Sequence, residues 1–344
     1  MHFSNKFIIG DRVADGSTSS VYHLLEEGTT SKAISACQKV IKILNKDFVS
    51  KRNENIIRFN KKSAFISQLS HPNIIKVFEF GMHNDLPYII MEFFKGETLE
   101  KLITKKEITV ETAIEIMIGI SSGLSFLHSK GIIHGDIKDS NILIKKNNKN
   151  DFIIKLIDFG FSQIKELQLN NEMSDFFGTL SYIAPEQTGI IKRKVDERSD
   201  LYSLGILFFK LLTNQVPFYA NNINTLIHKH IAEPPPRPSD FTFEVPQVID
   251  TIVLKLLEKD PEKRYQSAEG LIVDLKKIQH GNLSFIPGEK DITRRINFET
   301  GLIGRDKEFQ LLTNLAINLQ RGKSTVCVIK GEAGIGKTRL INEL

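Results

Sequence analysis

The first part of the chain alternates short apolar runs with polar turn residues, a pattern that is typical of β-strands. One helix is predicted over 54–69, where apolar side chains recur at helical spacing, and His71-Pro72 ends it because proline disfavours helix at the preceding residue. Strands are predicted over 6–14, 20–26, 38–44, 74–80 and 87–93.

After Gly96 the apolar positions recur with the period of a helix. Thr109 is a candidate N-cap for a helix whose apolar face begins with Val110, Ala113 and Ile114. Two short strands follow, over 141–144 and 152–157, and helices are predicted over 200–212, 222–231, 246–258 and 267–278. This order predicts an α+β fold in which a β-rich lobe precedes an α-rich lobe, joined near residues 92–96.

The helical period is lost over 281–300, which is predicted to be a linker, and a new strand is predicted over 324–330. We therefore expect a first domain and the incomplete start of a second one. The first domain is predicted over 1–280, with lobes over 1–92 and 95–280, and the second over 301–344. The proline-rich segment 234–238 is interpreted as a rigid connector, although a ligand for a proline-binding domain has the same composition.

Charge and cysteine content exclude several classes of protein. The net charge is +5, but the basic clusters are short and scattered, which disfavours a nucleic-acid-binding surface. The two cysteines, Cys37 and Cys327, lie far apart, so neither a disulfide framework nor a zinc site is predicted. We expect no membrane segment, since no apolar run reaches ~18 residues and no secretory signal is present, and we expect a cytoplasmic location.

The loop that follows the long helix carries the densest chemistry, in the run His134-Gly135-Asp136-Ile137-Lys138-Asp139-Ser140-Asn141. Asp136 is placed to orient a hydroxyl group and to accept its proton, and Lys138 to neutralise a phosphoryl group. Asn141 offers an amide oxygen, the kind of ligand that Mg²⁺ prefers. Alone, such a polar loop is equally consistent with a simple turn between a helix and a strand.

Two further motifs supply what transfer of a phosphoryl group from ATP requires. Asp158-Phe159-Gly160 follows the next strand and offers a carboxylate for a metal ion, and Val40-Ile41-Lys42 places a lysine on the third strand. Each is weak evidence by itself, because aspartate and glycine are common in turns and a lysine on a strand is common at sheet edges.

Together with Phe177-Gly178-Thr179 and Ala184-Pro185-Glu186, these motifs stand in an order that resembles the eukaryotic-like protein kinase family, over about residues 7–280. The run from Leu257 to Tyr265 is similar to that of bacterial serine/threonine kinases. The resemblance implies the bilobal protein kinase fold, with ATP and Mg²⁺ as cofactors. It also implies a protein substrate that presents a serine or threonine hydroxyl group.

The resemblance assigns catalytic roles by position. Asp136 corresponds to the catalytic base, Lys138 to the lysine that neutralises the phosphoryl group, and Thr179 to the threonine that supports the base. Asn141 and Asp158 correspond to the two metal ligands.

Nucleotide-binding and supporting positions carry over in the same way. Lys42 resembles the phosphate-binding lysine, Met91 the gatekeeper, and the segment from Glu92 to Phe94 the hinge that meets adenine. The phosphate-covering loop contributes Ala14, Gly16, Ser19 and Val21. The buried ion pair that supports the substrate platform corresponds to Glu186 and Arg264, and the aspartate that braces the catalytic loop corresponds to Asp200.

The phosphate loop and the following helix depart from the family pattern. Only Gly16 remains of the glycines of the loop, since Ala14 and Ser19 occupy the other two positions, and serine hydroxyls are expected to act as donors in their place. Lys62 stands where the family has the glutamate that pairs with the strand lysine, and it would repel Lys42. Glu54, on the same helical face, would serve only if the helix were shifted.

The catalytic loop also departs from the pattern, because Gly135 replaces the arginine that reads a phosphorylated activation loop. We therefore do not expect activation by a phosphate on Ser174 or Thr179. A second hypothesis stays open, that of a pseudokinase which acts as a docking or nucleotide-binding module. The retained catalytic and metal-binding groups favour an active kinase.

The C-terminal run Gly331-Glu332-Ala333-Gly334-Ile335-Gly336-Lys337-Thr338 fits a phosphate-binding P-loop between a strand and a helix, although a glycine-rich turn is the alternative. Gly331, Gly334 and Gly336 would wrap the phosphates, Lys337 would reach the β- and γ-phosphates, and Thr338 would bind Mg²⁺. With the segment 302–309, it resembles the start of an AAA-type signalling ATPase. We expect a piece of a longer protein with further C-terminal signalling domains, and a regulatory ATPase switch is a third hypothesis.

Overall fold

A computed structural model of the chain describes two compact units, Met1–Ile292 and Thr293–Leu344. In the first unit, the described residues are 2–4, 7–16, 19–26, 38–44, 66–84, 86–149, 151–159, 178, 180–191 and 193–291. In the second unit, they are 305, 308–313, 315, 326–331, 337 and 340.

The N-terminal lobe of the first unit is built on an antiparallel sheet of six strands in the order β1-β2-β3-β4-β6-β5. Its strands are β1 (His2–Ser4), β2 (Phe7–Asp15), β3 (Ser19–Glu26), β4 (Lys39–Leu44), β5 (Val77–His83) and β6 (Leu86–Glu92). The register places Lys42 of β4 between Val21 of β3 and Ile89 of β6. Alternation along β4 puts Lys42 on the same face as Val40, opposite Ile41, which is completely buried.

A second sheet has three strands, β7 (Glu97–Thr98), β8 (Ile142–Lys146) and β9 (Phe152–Leu156), in the order β7-β8-β9. Strands β8 and β9 form an antiparallel hairpin. Asn141 comes directly before this hairpin and Asp158 follows soon after it. Because the strands run in opposite directions, the hairpin brings these two residues to the same end.

The C-terminal lobe packs its helices around one apolar core. The helices are α1 (Leu99–Thr104), α2 (Val110–Ser129), α3 (Glu197–Thr213), α4 (Ile223–Ala232), α5 (Gln247–Leu256) and α6 (Ala268–Gln279). Thr109 caps α2 as predicted, its side chain accepting a hydrogen bond from the N–H of Thr112. Helix α3 is buried along most of its length and contacts both α2 and α5, so it forms the centre of the lobe.

Helix α2 is the single candidate in the described part of the chain whose length and composition would suffice to cross a membrane. Half of its most apolar stretch is buried in the structure, and it packs against α6 and β9. Core helices of globular domains have the same properties, so α2 gives no evidence for a membrane span.

The predicted order of a β-rich lobe and an α-rich lobe is confirmed, with shifts at some element ends. Strand β5 begins at Val77 rather than at residue 74, because Ile75 donates its N–H to Leu156 of β9 instead of joining the larger sheet. Sequence reasoning missed β1, β7 and α1. Most of the helix predicted over 54–69 lies outside the described residues.

Residues 281–291, which belong to the predicted linker, are irregular but attached to the C-terminal lobe. Gly288 donates its N–H to the Asp274 carboxylate at 2.6 Å, and Lys277 lies over the ring of Phe285. The carboxylate of Asp291 accepts hydrogen bonds from the N–H of Gln266 and from the hydroxyl of Ser267. The first compact unit therefore extends to Ile292, beyond the predicted domain end at residue 280.

Candidate active site

The catalytic loop brings together the side chains that sequence analysis selected. The Nδ2 of Asn141 donates to a carboxylate oxygen of Asp136 at 2.9 Å and to its backbone carbonyl at 2.8 Å. The Nζ of Lys138 lies 3.3 Å from the other carboxylate oxygen of Asp136. Asp136 is therefore held from two sides, and the amide oxygen of Asn141 is turned away from it.

Asp200 at the start of α3 fixes the backbone of this loop. Its carboxylate accepts hydrogen bonds from the N–H groups of His134 at 2.8 Å and Gly135 at 2.7 Å, and it contacts the Nε2 of His128 at 2.8 Å. Asp200 is only 1% exposed, so these contacts are shielded from water. The expectation that Asp200 braces the catalytic loop is confirmed.

Lys42 reaches across from the N-terminal lobe to Asp158. Its Nζ lies 2.6 and 2.5 Å from the two carboxylate oxygens, and both side chains are mostly shielded from solvent. Asp158 has a φ of 63°, a left-handed conformation that aspartate tolerates better than most residues. The structure thus brings together the candidate phosphate-binding lysine and the candidate metal ligand, while Lys62 and Glu54 lie outside the described residues.

An apolar cluster lies between the two lobes next to this pair. Met91 and Val21, both predicted to meet the nucleotide, belong to it, and Phe94 and Phe159 are buried in it. Sequence analysis missed three further members that the strand pattern places near the catalytic groups: Val40, Leu143 and Ile157. Apolar side chains therefore lie close in sequence to Lys42, Asn141 and Asp158, where the nucleotide is expected to bind.

The hinge is tied to both lobes through Glu92. Its carboxylate accepts hydrogen bonds from the Nζ of Lys155 at 2.6 Å and from the N–H of Lys76 at 2.9 Å. The next residue, Phe93, donates its N–H to the carbonyl of Gln38 at 2.7 Å. Lys155 lies three positions before Asp158 on the chain, so one ion pair connects the hinge to the strand that leads to that carboxylate. Sequence reasoning did not single out Lys155.

The phosphate loop is closed by polar contacts among its own residues. Gly16 donates its N–H to the carbonyl of Ser19, which closes the turn after Ala14. The hydroxyl of Ser20 donates to the carboxylate of Asp15 at 2.6 Å, and Ser19 is 7% exposed. That serine hydroxyls replace the missing glycines as donors to the phosphates stays a prediction. Residues 17 and 18 lie outside the described part.

The substrate platform is anchored by the predicted ion pair. Arg264 makes two parallel hydrogen bonds to Glu186, at 2.7 and 2.8 Å, and Ser199 donates its hydroxyl to the same carboxylate. Burial alone would raise the pKa of Glu186, but the hydrogen bonds and charge of Arg264 outweigh it and hold this pKa below its usual value. Thr179 and Ser174 lie outside the described residues.

The second unit is described at only a few positions of the predicted P-loop. The Nζ of Lys337 donates to the carbonyl of Gly331 at 2.8 Å. Residues 326–330 form no strand, and Val326 is 91% exposed, so the prediction of a strand before the candidate P-loop is wrong for these residues. Residues 308–313 and 315 are helical, and Gly334, Gly336 and Thr338 lie outside the described part.

Comparison with known proteins adds independent evidence. The family described as protein kinase domain matches residues 7–274. A probable serine/threonine-protein kinase of Clostridium perfringens is 36% identical over 269 residues, which are 75% of this chain and 38% of that protein. The serine/threonine-protein kinase PknB of Mycolicibacterium smegmatis is 32% identical over 293 residues, which are 83% of this chain and 45% of that protein.

A solved structure shows the same fold. The kinase domain of Mycobacterium tuberculosis PknI matches with a TM-score of 0.61 and 19% sequence identity, covering 80% of this chain and 97% of that domain. The chain spans less than half the length of the two curated relatives.

Proposed function

The chain belongs to the protein kinase family, with a kinase domain of the bacterial serine/threonine type, and from this premise we propose that it phosphorylates serine and threonine hydroxyls of a protein substrate with ATP. The observation that carries the proposal is the contact of Lys138 and Asn141 with Asp136, on a loop held by Asp200. A turn without a catalytic role does not require this convergence of charged groups.

Each of these residues has a defined task in the reaction. Asp136 orients the acceptor hydroxyl and accepts its proton while the oxygen bonds to the γ-phosphorus of ATP. The bond from that phosphorus to the bridging oxygen breaks, and ADP leaves. Lys138 lies beside Asp136, where its charge stabilises the phosphoryl group in transit, and Lys42 holds the remaining phosphates.

The donor set beside Asp136 fits Mg²⁺. Asp158 contributes a carboxylate and Asn141 an amide oxygen turned away from Asp136, and hard cations prefer oxygen ligands of this kind. When bound, the ion neutralises charge on the phosphate oxygens. Asp158 would then exchange its contact with Lys42 for the metal, and Lys42 would turn to the phosphates.

Replacing Asp136 tests the assignment. Asp136→Asn keeps the shape of the side chain and removes the group that accepts the proton, so incorporation of labelled phosphate into a generic basic protein should be abolished while thermal unfolding stays close to that of the parent. Undiminished labelling in this variant would show that the catalytic residue has been assigned wrongly.

The competing function is a module that binds nucleotide without turnover. It is favoured by the phosphate loop, where the carboxylate of Asp15, next to Gly16, accepts hydrogen bonds from Arg12 and Ser20. Metal-dependent binding of ATP to the parent protein, without any transfer of phosphate, would establish this alternative.

We extend the proposal to the region after residue 292, as the start of an AAA-type ATPase in a longer, cytoplasmic signalling protein. The pattern GxxxxGKT and the position of Lys337 beside the carbonyl of Gly331 support it. In the full-length protein, Lys337→Ala and Lys42→Ala separate the two nucleotide sites. If Lys337 alone affected the signalling output, a regulatory ATPase would replace the kinase as the active module.

A further inference from the structure

A polar cluster joins the catalytic loop to helix α3, and its members are Asp139, Lys210 and Tyr182. None of these three residues has a role in the reaction as described so far. The Nζ of Lys210 on α3 lies 2.6 Å from a carboxylate oxygen of Asp139. The same Nζ lies 3.3 Å from the hydroxyl of Tyr182. The lysine therefore joins a residue of the catalytic loop to a residue of the segment that leads to Glu186.

Asp139 is unusually placed for a charged residue. It lies between Lys138 and Asn141 in the sequence, and it is only 4% exposed. A buried carboxylate is costly unless a positive charge and hydrogen bonds compensate it. Lys210 supplies the charge, and the N–H of Ser140 donates to the second carboxylate oxygen at 2.9 Å. The position of the loop is thus coupled to the presence of Lys210.

Tyr182 extends this connection to the substrate platform. It is 6% exposed, and its backbone carbonyl accepts a hydrogen bond from the hydroxyl of Ser203 on α3 at 2.7 Å. Burial, assisted by the charge of Asp139, raises the pKa of Tyr182 well above its usual value, so its hydroxyl keeps its proton. Four residues later, Glu186 is anchored by Arg264. The side chain of Lys210 on α3 therefore contacts both the catalytic loop, at Asp139, and the platform segment, at Tyr182.

We propose that Asp139, Lys210 and Tyr182 are positioning residues that set the distance between the catalytic groups and the segment on which the protein substrate rests. They act through Lys138 and Asn141, the neighbours of Asp139, and not by contact with ATP. This inference rests on the proposed kinase function. It predicts that disturbing the cluster impairs turnover and use of the protein substrate, while the KM for ATP stays constant.

Lys210→Met is the decisive variant, because it removes the charge and leaves Asp139 buried without its partner. In the full chain, we expect kcat for phosphorylation of a generic basic protein to fall by about tenfold to a hundredfold, the cost of a small misplacement of catalytic groups. The KM for ATP should stay within about twofold of the parent. Lys210→Arg should restore most of the activity, and Tyr182→Phe should raise the KM for the protein with a smaller effect on kcat.

The double variant Asp139→Asn with Lys210→Met distinguishes a loss of positioning from a loss of folded protein. Removing both charges avoids an unpaired buried group, so stability should recover relative to Lys210→Met while kcat stays low. Lys105→Met, which breaks an exposed ion pair with Glu97, is the matched control and should behave as the parent.

The inference would be overturned by activity that follows the folded fraction alone across the variants, or by a KM for ATP that rises as much as kcat falls. An inactive parent protein would instead refute the proposed function. Parent activity that Lys210→Met leaves unchanged would refute the positioning role only, so the two failures are distinguishable.

Discussion

Lys42 and Asp158 are 116 residues apart in the sequence, yet the ammonium group of one lies within hydrogen-bonding distance of both carboxylate oxygens of the other. The pair connects the central sheet of the N-terminal lobe to the residue that follows the β8–β9 hairpin. Each partner balances the charge of the other in a cleft that is largely shielded from water. ATP and Mg²⁺ carry the complementary charges, so we expect their binding to separate the pair.

Lys42→Met tests this arrangement. The variant should lose the positive charge that holds the phosphates, and kcat/KM for ATP should fall by about a hundredfold or more in steady-state kinetics. Lys39→Met on the opposite face of β4 is the matched control, since Lys39 lies over the exposed ring of Phe78. Equal losses in the two variants would argue against a role for Lys42 in the site.

The Arg264–Glu186 pair should dominate the stability of the substrate platform. Arg264→Met leaves a buried carboxylate without its partner, and the free energy of unfolding in a urea titration should decrease by about 3–5 kcal/mol. Lys229→Met, which breaks an ion pair with the largely exposed Glu233, should change it by less than about 1 kcal/mol. Comparable effects of the two substitutions would contradict the assigned importance of burial.

Lys259 should make stability depend on pH in the alkaline range. Burial, together with the nearby charge of Arg264, lowers the pKa of Lys259 to about 8 from 10.5. Between these values the unfolded chain binds more protons than the folded one, so the contribution of Lys259 makes stability rise with pH. In urea titrations between about pH 8 and pH 10, Lys259→Met should show a less positive slope than the parent. Identical slopes would show that Lys259 keeps an ordinary pKa.

Asp291 should stabilise the first unit although it follows the last helix of the lobe. Its carboxylate accepts hydrogen bonds from Gln266 and Ser267, at the start of α6. Asp291→Ala should therefore lower the free energy of unfolding by about 1–3 kcal/mol, the usual cost of hydrogen-bond donors left without their partner. Glu289→Ala, on the same segment, serves as the control. A chain ending at residue 281 that is as stable as one ending at 292 would contradict the prediction.

The sequence was sufficient to predict those elements and site residues that a local pattern determines. Alternating apolar residues located the main strands, and Thr109 marked the start of α2. The catalytic side chains were identifiable because they lie on one short loop, from Asp136 to Asn141. The pair of Glu186 and Arg264 was expected from the family resemblance, and its bidentate geometry confirms it.

Sequence reasoning failed where contacts depend on the path of the chain. Nothing local indicates that Lys42 pairs with Asp158, or that Lys155 reaches the hinge at Glu92, because these contacts arise only when the lobes come together. Strands β1 and β7 were missed for another reason. They contain three and two residues, too few for a period to be recognised.

The contacts of Asp200 have a consequence for how this enzyme would be controlled. Its carboxylate holds the backbone of His134 and Gly135 from within the C-terminal core, without any added phosphate. With Gly135 in place of the arginine that elsewhere senses such a phosphate, these contacts of the catalytic loop form without a phosphorylated residue. Regulation is then expected to act on the N-terminal lobe, by controlling whether Lys42 contacts the phosphates of the nucleotide.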